Sequence, residues 1–131
     1  MNRILLLLAL VIGLASPASS QGTGREILYG ENDDGAIYYL LPDSAQRSYG
    51  SVTVWVRVDH TSDQTVPQFE AMIQWKVSCS ERTVALLSYA NYDSSGRLTE
   101  SRTLKSYQIE ARPTIPGSIG YSLYEEACSL R

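Results

Sequence analysis

Ser51-Val52-Thr53-Val54-Trp55-Val56-Arg57-Val58-Asp59 carries a side-chain period of two. Val52, Val54, Val56 and Val58 fall on one face, and Thr53, Trp55, Arg57 and Asp59 on the other, which is the alternation an extended chain imposes. Valine is β-branched, stiff at its first torsion and suited to a pleated, half-buried surface. The valine face is therefore a core face, and Trp55 points away from it.

The same period returns from Glu70 to Cys79. Ala71, Ile73, Trp75, Val77 and Cys79 share one face, and Glu70, Met72, Gln74, Lys76 and Ser78 share the other. Between the two strands, His60 to Gln68 reads as a polar loop containing Pro67. Ser80-Glu81-Arg82 is short enough for a hairpin connection to a strand over Thr83 to Tyr92, apolar on both faces and so central in the sheet. Asp93-Ser94-Ser95-Gly96 is turn chemistry with a glycine placed for the left-handed conformation. Arg97 to Ile109 returns as a more polar strand, at an edge. Upstream, Glu26 to Tyr29 opens a first strand, and Glu31-Asn32-Asp33-Asp34-Gly35 is a turn. Ala36 to Leu41 is a strand that Pro42 ends; Asp43 to Arg47 reads as one helical turn, and Ser48-Tyr49-Gly50 turns the chain again.

After the extended Pro113–Pro116 stretch, Ser118 or Gly117 caps a helix from about Ile119 to Ser129. Ile119, Leu123 and Ala127 form one apolar row, and Tyr124 and Cys128 the row beside it. Cys79 thus sits on the core face of a strand and Cys128 on the core side of the helix. The chain has two cysteines, so one pairing exists. Its loop of about 50 residues corresponds to about 4 kcal/mol of stabilisation in the chain-entropy relation. The expected fold is α+β: an antiparallel sheet of about five or six strands, covered by a C-terminal helix and joined to it by the Cys79–Cys128 disulfide.

The first 20 residues read as a secretory signal rather than as structure. Arg3 supplies the positive start, Ile4 to Leu14 the apolar middle, and Ala15-Ser16-Pro17-Ala18-Ser19-Ser20 the small-residue exit. Ala18 and Ser20 fit cleavage before Gln21, and cleavage after Ala18 also fits. The apolar run is well short of the roughly 20 residues a membrane-spanning helix needs. The expected division is a signal over 1–20 and one domain over 21–131, in the periplasm, secreted or at the cell surface. No cysteine follows the signal to carry a lipid anchor. Removal of residues 1–20 takes one of the 11 basic side chains and none of the 14 acidic ones, leaving net −4. That balance argues against nucleic acid as a partner.

Several segments in this order are similar to the bacterial surface-adhesin protein E-like family. They are Tyr38-Tyr39-Leu40-Leu41-Pro42-Asp43-Ser44, Gly50 with Val52-Thr53-Val54-Trp55-Val56, the strand ending in Cys79, and Leu87 to Gly96. Pro116-Gly117-Ser118-Ile119-Gly120 then leads into the cysteine-bearing helix. The resemblance spans about Glu26 to Leu130. It implies an antiparallel sheet under a C-terminal helix, and adhesion to host extracellular-matrix and serum proteins.

Catalytic and metal-binding patterns are weak by comparison. His60 is the single histidine, in a polar loop and without a Gly-x-Ser-x-Gly elbow, and reads as a solvated side chain. Glu31, Asp33 and Asp34 lack the spacing of a calcium loop. Trp75 shares the core face. Trp55 and Arg57, on the opposite face, are the pair suited to partner contact, since exposed aromatics with arginine anchor interfaces. The expectation is a non-catalytic binding module without cofactor, acting on a protein partner, with a polar edge strand open to pairing with a second copy. The alternative is a periplasmic inhibitor of lysozyme or another enzyme, presenting the His60–Gln68 loop.

Overall fold

The computed structural model describes residues 24–131. The expected signal over residues 1–20 lies outside the described residues. Six strands run in chain order across one antiparallel sheet: β1 (Ile27–Glu31), β2 (Ile37–Ser48), β3 (Ser51–Asp59), β4 (Glu70–Ser78), β5 (Thr83–Tyr92) and β6 (Leu98–Thr103). A two-residue strand, β7 (Arg112–Pro113), returns to pair with the start of β5. One helix, α1 (Ile119–Ser129), lies across the sheet. The α+β expectation stands.

The valine alternation fixes the register. Val52 stands opposite Val77, which stands opposite Val84; Leu40 stands opposite Val56, which faces Ile73. Leu40, all four β3 valines and Val77 are fully buried. Leu123 and Ala127 press onto this surface from α1, at 2% and 0% exposure. Ser118 is the helix cap, its hydroxyl accepting the Tyr121 N–H at 3.1 Å, which satisfies one of the free donors of the first turn. The approach of α1 is close above Gly30: a Cβ there would fall 2.6 Å from Ile119 Cδ1, and the tip of that side chain would have to move aside.

The disulfide joins the end of β4 to α1, with Cys79 and Cys128 Cα atoms 5.8 Å apart across a sequence separation of 49. Both cysteines pack beside the buried cluster.

Three sequence expectations about these strands are corrected. Pro42 does not end β2, and Asp43 to Arg47 is not helical. Residues 42–45 form a bulge between the Leu41–Trp55 and Gln46–Thr53 pairs, and pairing then resumes to Ser48. Pro42 can donate no backbone hydrogen bond, but the Ser44 hydroxyl takes over part of the ladder. It accepts the Trp55 N–H at 2.9 Å and donates to the Leu41 carbonyl at 2.6 Å. The polar return strand is also shorter than Arg97 to Ile109. It ends at Thr103, and the chain makes a short 3-10 turn at Ser106–Gln108 beside β5.

Candidate functional site

Among the described residues no α-helix covers the sheet face opposite α1. Strand pairing sets two rows of side chains across it: Leu28, Tyr39, Arg57, Met72 and Ala90, and beside them Leu41, Trp55, Gln74 and Ser88. Trp55 thus lies near the middle of the uncovered face, partly buried by its neighbours.

Arg57 is held on three sides. Its guanidinium carbon lies 4.4 Å from the centre of the Tyr39 ring, close enough for attraction between cation and ring. Its Nε and Nη2 donate to the two Glu26 oxygens at 2.7 and 2.8 Å, and Nη1 is 3.7 Å from Glu70 Oε2. The hydrogen bond from Arg57 holds the Glu26 carboxyl below the usual carboxylate range, and the same bond from Glu26 raises the affinity of Arg57 for its proton. The face therefore offers the half-buried side chains of Tyr39, Trp55, Leu41 and Met72 around an arginine already paired with Glu26. That chemistry suits contact with a protein rather than capture of a free anion.

Beyond Arg57, one groove of about 350 Å3 is lined by Asp59, Phe69, Glu70, Tyr92 and Asp93. Trp75 lies on the helix side as expected, packed against the core and walling an apolar groove of about 330 Å3 with Val84, Leu86 and Leu104.

His60 is a correction. Its side chain is 10% exposed, and Nδ1 is 3.1 Å from Asp63 Oδ2. Asp63, itself 5% exposed, also accepts the Thr65 backbone N–H and hydroxyl. Those Thr65 bonds hold the Asp63 carboxyl below its ordinary range. A turn closed by the Asp63 N–H on the His60 carbonyl folds both side chains inward. Gly35 closes over the same loop, where a Cβ would meet the Ser62 carbonyl at 3.2 Å. Sequence reasoning missed Asp63, although the Asp63-x-Thr65 spacing was a readable signal of a carboxylate turned back on its own backbone. The loop that an inhibitor would have to present is thus packed down at its start.

Glu31, Asp33 and Asp34 are exposed, in a turn organised by Asn32, whose side-chain oxygen accepts from the Asp34 and Ala36 N–H groups. Among the described residues no cluster of three or more histidine, cysteine or acidic side chains is arranged to hold a metal.

A one-sided antiparallel sheet, sealed by a disulfide-bonded terminal helix and carrying aromatic side chains on its other face, is the architecture of a small domain. Comparison with known proteins narrows the class. The chain belongs to the surface-adhesin protein E family, whose model matches residues 27–129, and it is an adhesin-like binding module. Among solved structures it is similar to protein E of Haemophilus influenzae, at 15% identity and a TM-score of 0.59, over 87% of this chain and 94% of that one. A second similar structure is protein E from non-typeable Haemophilus influenzae, at 14% identity and a TM-score of 0.55, covering 87% and 81%. No match is found among curated proteins.

Proposed function

We propose that the chain is exported and, without catalysing a reaction, binds a host protein through the uncovered sheet face, with Trp55 and Arg57 as its anchors. The observation that carries this reading is the Arg57 arrangement. An arginine stacked on Tyr39 and clamped by Glu26 is pre-set before any partner arrives, so little side-chain freedom remains to be lost on binding. Membership of an adhesin family supports a protein ligand and export. No helix among the described residues is long and apolar enough to cross a membrane.

The test is capture of matrix and serum proteins by the purified domain, comparing the natural chain with Trp55→Ala. A retained protein whose affinity falls at least ten-fold in the variant, with an unchanged melting temperature, supports the reading. Equal affinity in both would overturn it. The exposed β6 edge is where a second copy of the chain would pair, and an equilibrium sedimentation run on the same samples reads the resulting mass.

A further inference from the structure

The hairpin joining β2 to β3 turns on Tyr49 and Gly50, both with positive φ, at 46° and 78°. In two-residue hairpin loops of this kind asparagine or glycine is favoured at the first position. For a bulky side chain that backbone conformation costs on the order of 1 kcal/mol. Tyr49 recovers nothing from packing, because its ring is fully exposed. The turn beneath it is nevertheless rigid. The Gly50 carbonyl accepts the Cys79 N–H at 2.9 Å, and Cys79 is bonded to Cys128. A strained, solvent-exposed aromatic on a fixed mount serves a ligand better than it serves the fold.

What lies beside it gives the ligand's chemistry. Tyr49 walls a groove of about 290 Å3 with Lys76, Ser80, Glu81 and a row of three hydroxyls, Ser51, Ser78 and Thr83, set side by side on β3, β4 and β5. Lys76 takes part in no ion pair among the described residues. The single lysine and single glutamate cancel, so the groove selects hydrogen-bonding capacity rather than charge.

We propose that this groove binds a neutral pyranoside. The Tyr49 ring lies under the C–H face of one sugar unit, where slightly positive hydrogens meet the negative face of the ring. The serine and threonine hydroxyls, with Lys76 and Glu81, exchange hydrogen bonds with the sugar hydroxyls. The volume sits at the small end of ligand pockets, matching one or two sugar units of a longer glycan. The groove occupies one end of the same sheet face that carries Trp55 and Arg57, and Ser51 stands six positions of β3, about 20 Å, from Arg57.

The experiment titrates the isotope-labelled mature domain with trimers of glucose, galactose and N-acetylglucosamine, following backbone amide resonances. The expected result is saturable movement of the Gly50, Lys76 and Ser80 signals with at least one trimer. Tyr49→Asn should weaken that binding at least ten-fold while melting at the same or a higher temperature, because asparagine tolerates the left-handed turn. Leu98→Ser, at the opposite end of the sheet, should leave it unchanged. No saturable movement with any trimer, or binding retained in Tyr49→Asn, overturns the proposal.

Discussion

Arg57 and Glu26 are joined by two parallel hydrogen bonds, Nε to Oε1 at 2.7 Å and Nη2 to Oε2 at 2.8 Å. This pair ties the residue just ahead of β1 to the middle of the sheet, across 31 positions of sequence. Forked geometry of this kind is stronger than a single contact, but the side chains are 23% and 35% exposed, so solvent screening keeps the coupling modest.

A double-mutant cycle with Glu26→Gln and Arg57→Met should give a coupling of about 0.5–1 kcal/mol at neutral pH. The folded Glu26 carboxyl ionises below its unfolded value of about 4.3. Its contribution is therefore complete above that pH and disappears as pH falls through the lower, folded value. Urea unfolding at pH 7 and pH 3 measures both; a coupling that persists undiminished in acid contradicts the assignment.

Removal of the disulfide by Cys79→Ser with Cys128→Ser should lower stability by about 4 kcal/mol, the chain-entropy value for a loop of this length. The sheet should survive, since the buried valine rows do not depend on sulfur. Denaturant midpoints with far-ultraviolet dichroism test this, and a loss below about 1 kcal/mol would mean the helix holds its place unaided.

Gly30→Ala should destabilise the domain by about 1–3 kcal/mol, because the new methyl group overpacks the seat of Ile119. Ile119→Val removes the offending Cδ1. Combined with Gly30→Ala, it should be more stable than the sum of the two single changes predicts. Strict additivity in thermal unfolding would show that the helix simply rides outward.

Asp63→Ala should lower the melting temperature and expose the 60–68 loop to proteolysis, since His60 and Thr65 lose their shared acceptor. The depressed Asp63 carboxyl ionises below about 3.9 in the folded chain. The natural protein should hold this loop closed above that pH and release it as acid protonates the carboxylate. Limited proteolysis across pH 2–6, with an acid-tolerant protease, reads the transition; cleavage independent of pH would refute it.

Regular alternation made the centre of the molecule legible. The valines of β3, the apolar row of β4 and the rows of α1 each specify a face, and the two cysteines lie where those faces meet. The bulge in β2 was not legible, because Pro42 is a local stop signal and the Ser44 hydroxyl that overrides it acts on Trp55, 11 residues away. His60 was misread for a related reason: a polar loop composition says nothing about a carboxylate three residues on that folds inward. Trp55 was placed on the correct face from its neighbours alone, whereas the stacking of Arg57 on Tyr39 needed the pairing of β2 with β3. Tyr49 was read only as part of a turn, since its strain is visible in backbone angles and not in composition.

Each of the six long strands pairs with its neighbour in sequence, so the sheet can be assembled like a folding screen, one panel at a time. Short-range pairing of this kind closes small loops first and favours rapid formation. A chain delivered N-terminus first would have β1 to β4 in register before its last residues emerged. The segment bearing Cys128 then arrives at a finished surface where Cys79 already waits, and oxidation becomes the closing event of maturation rather than a guide to it.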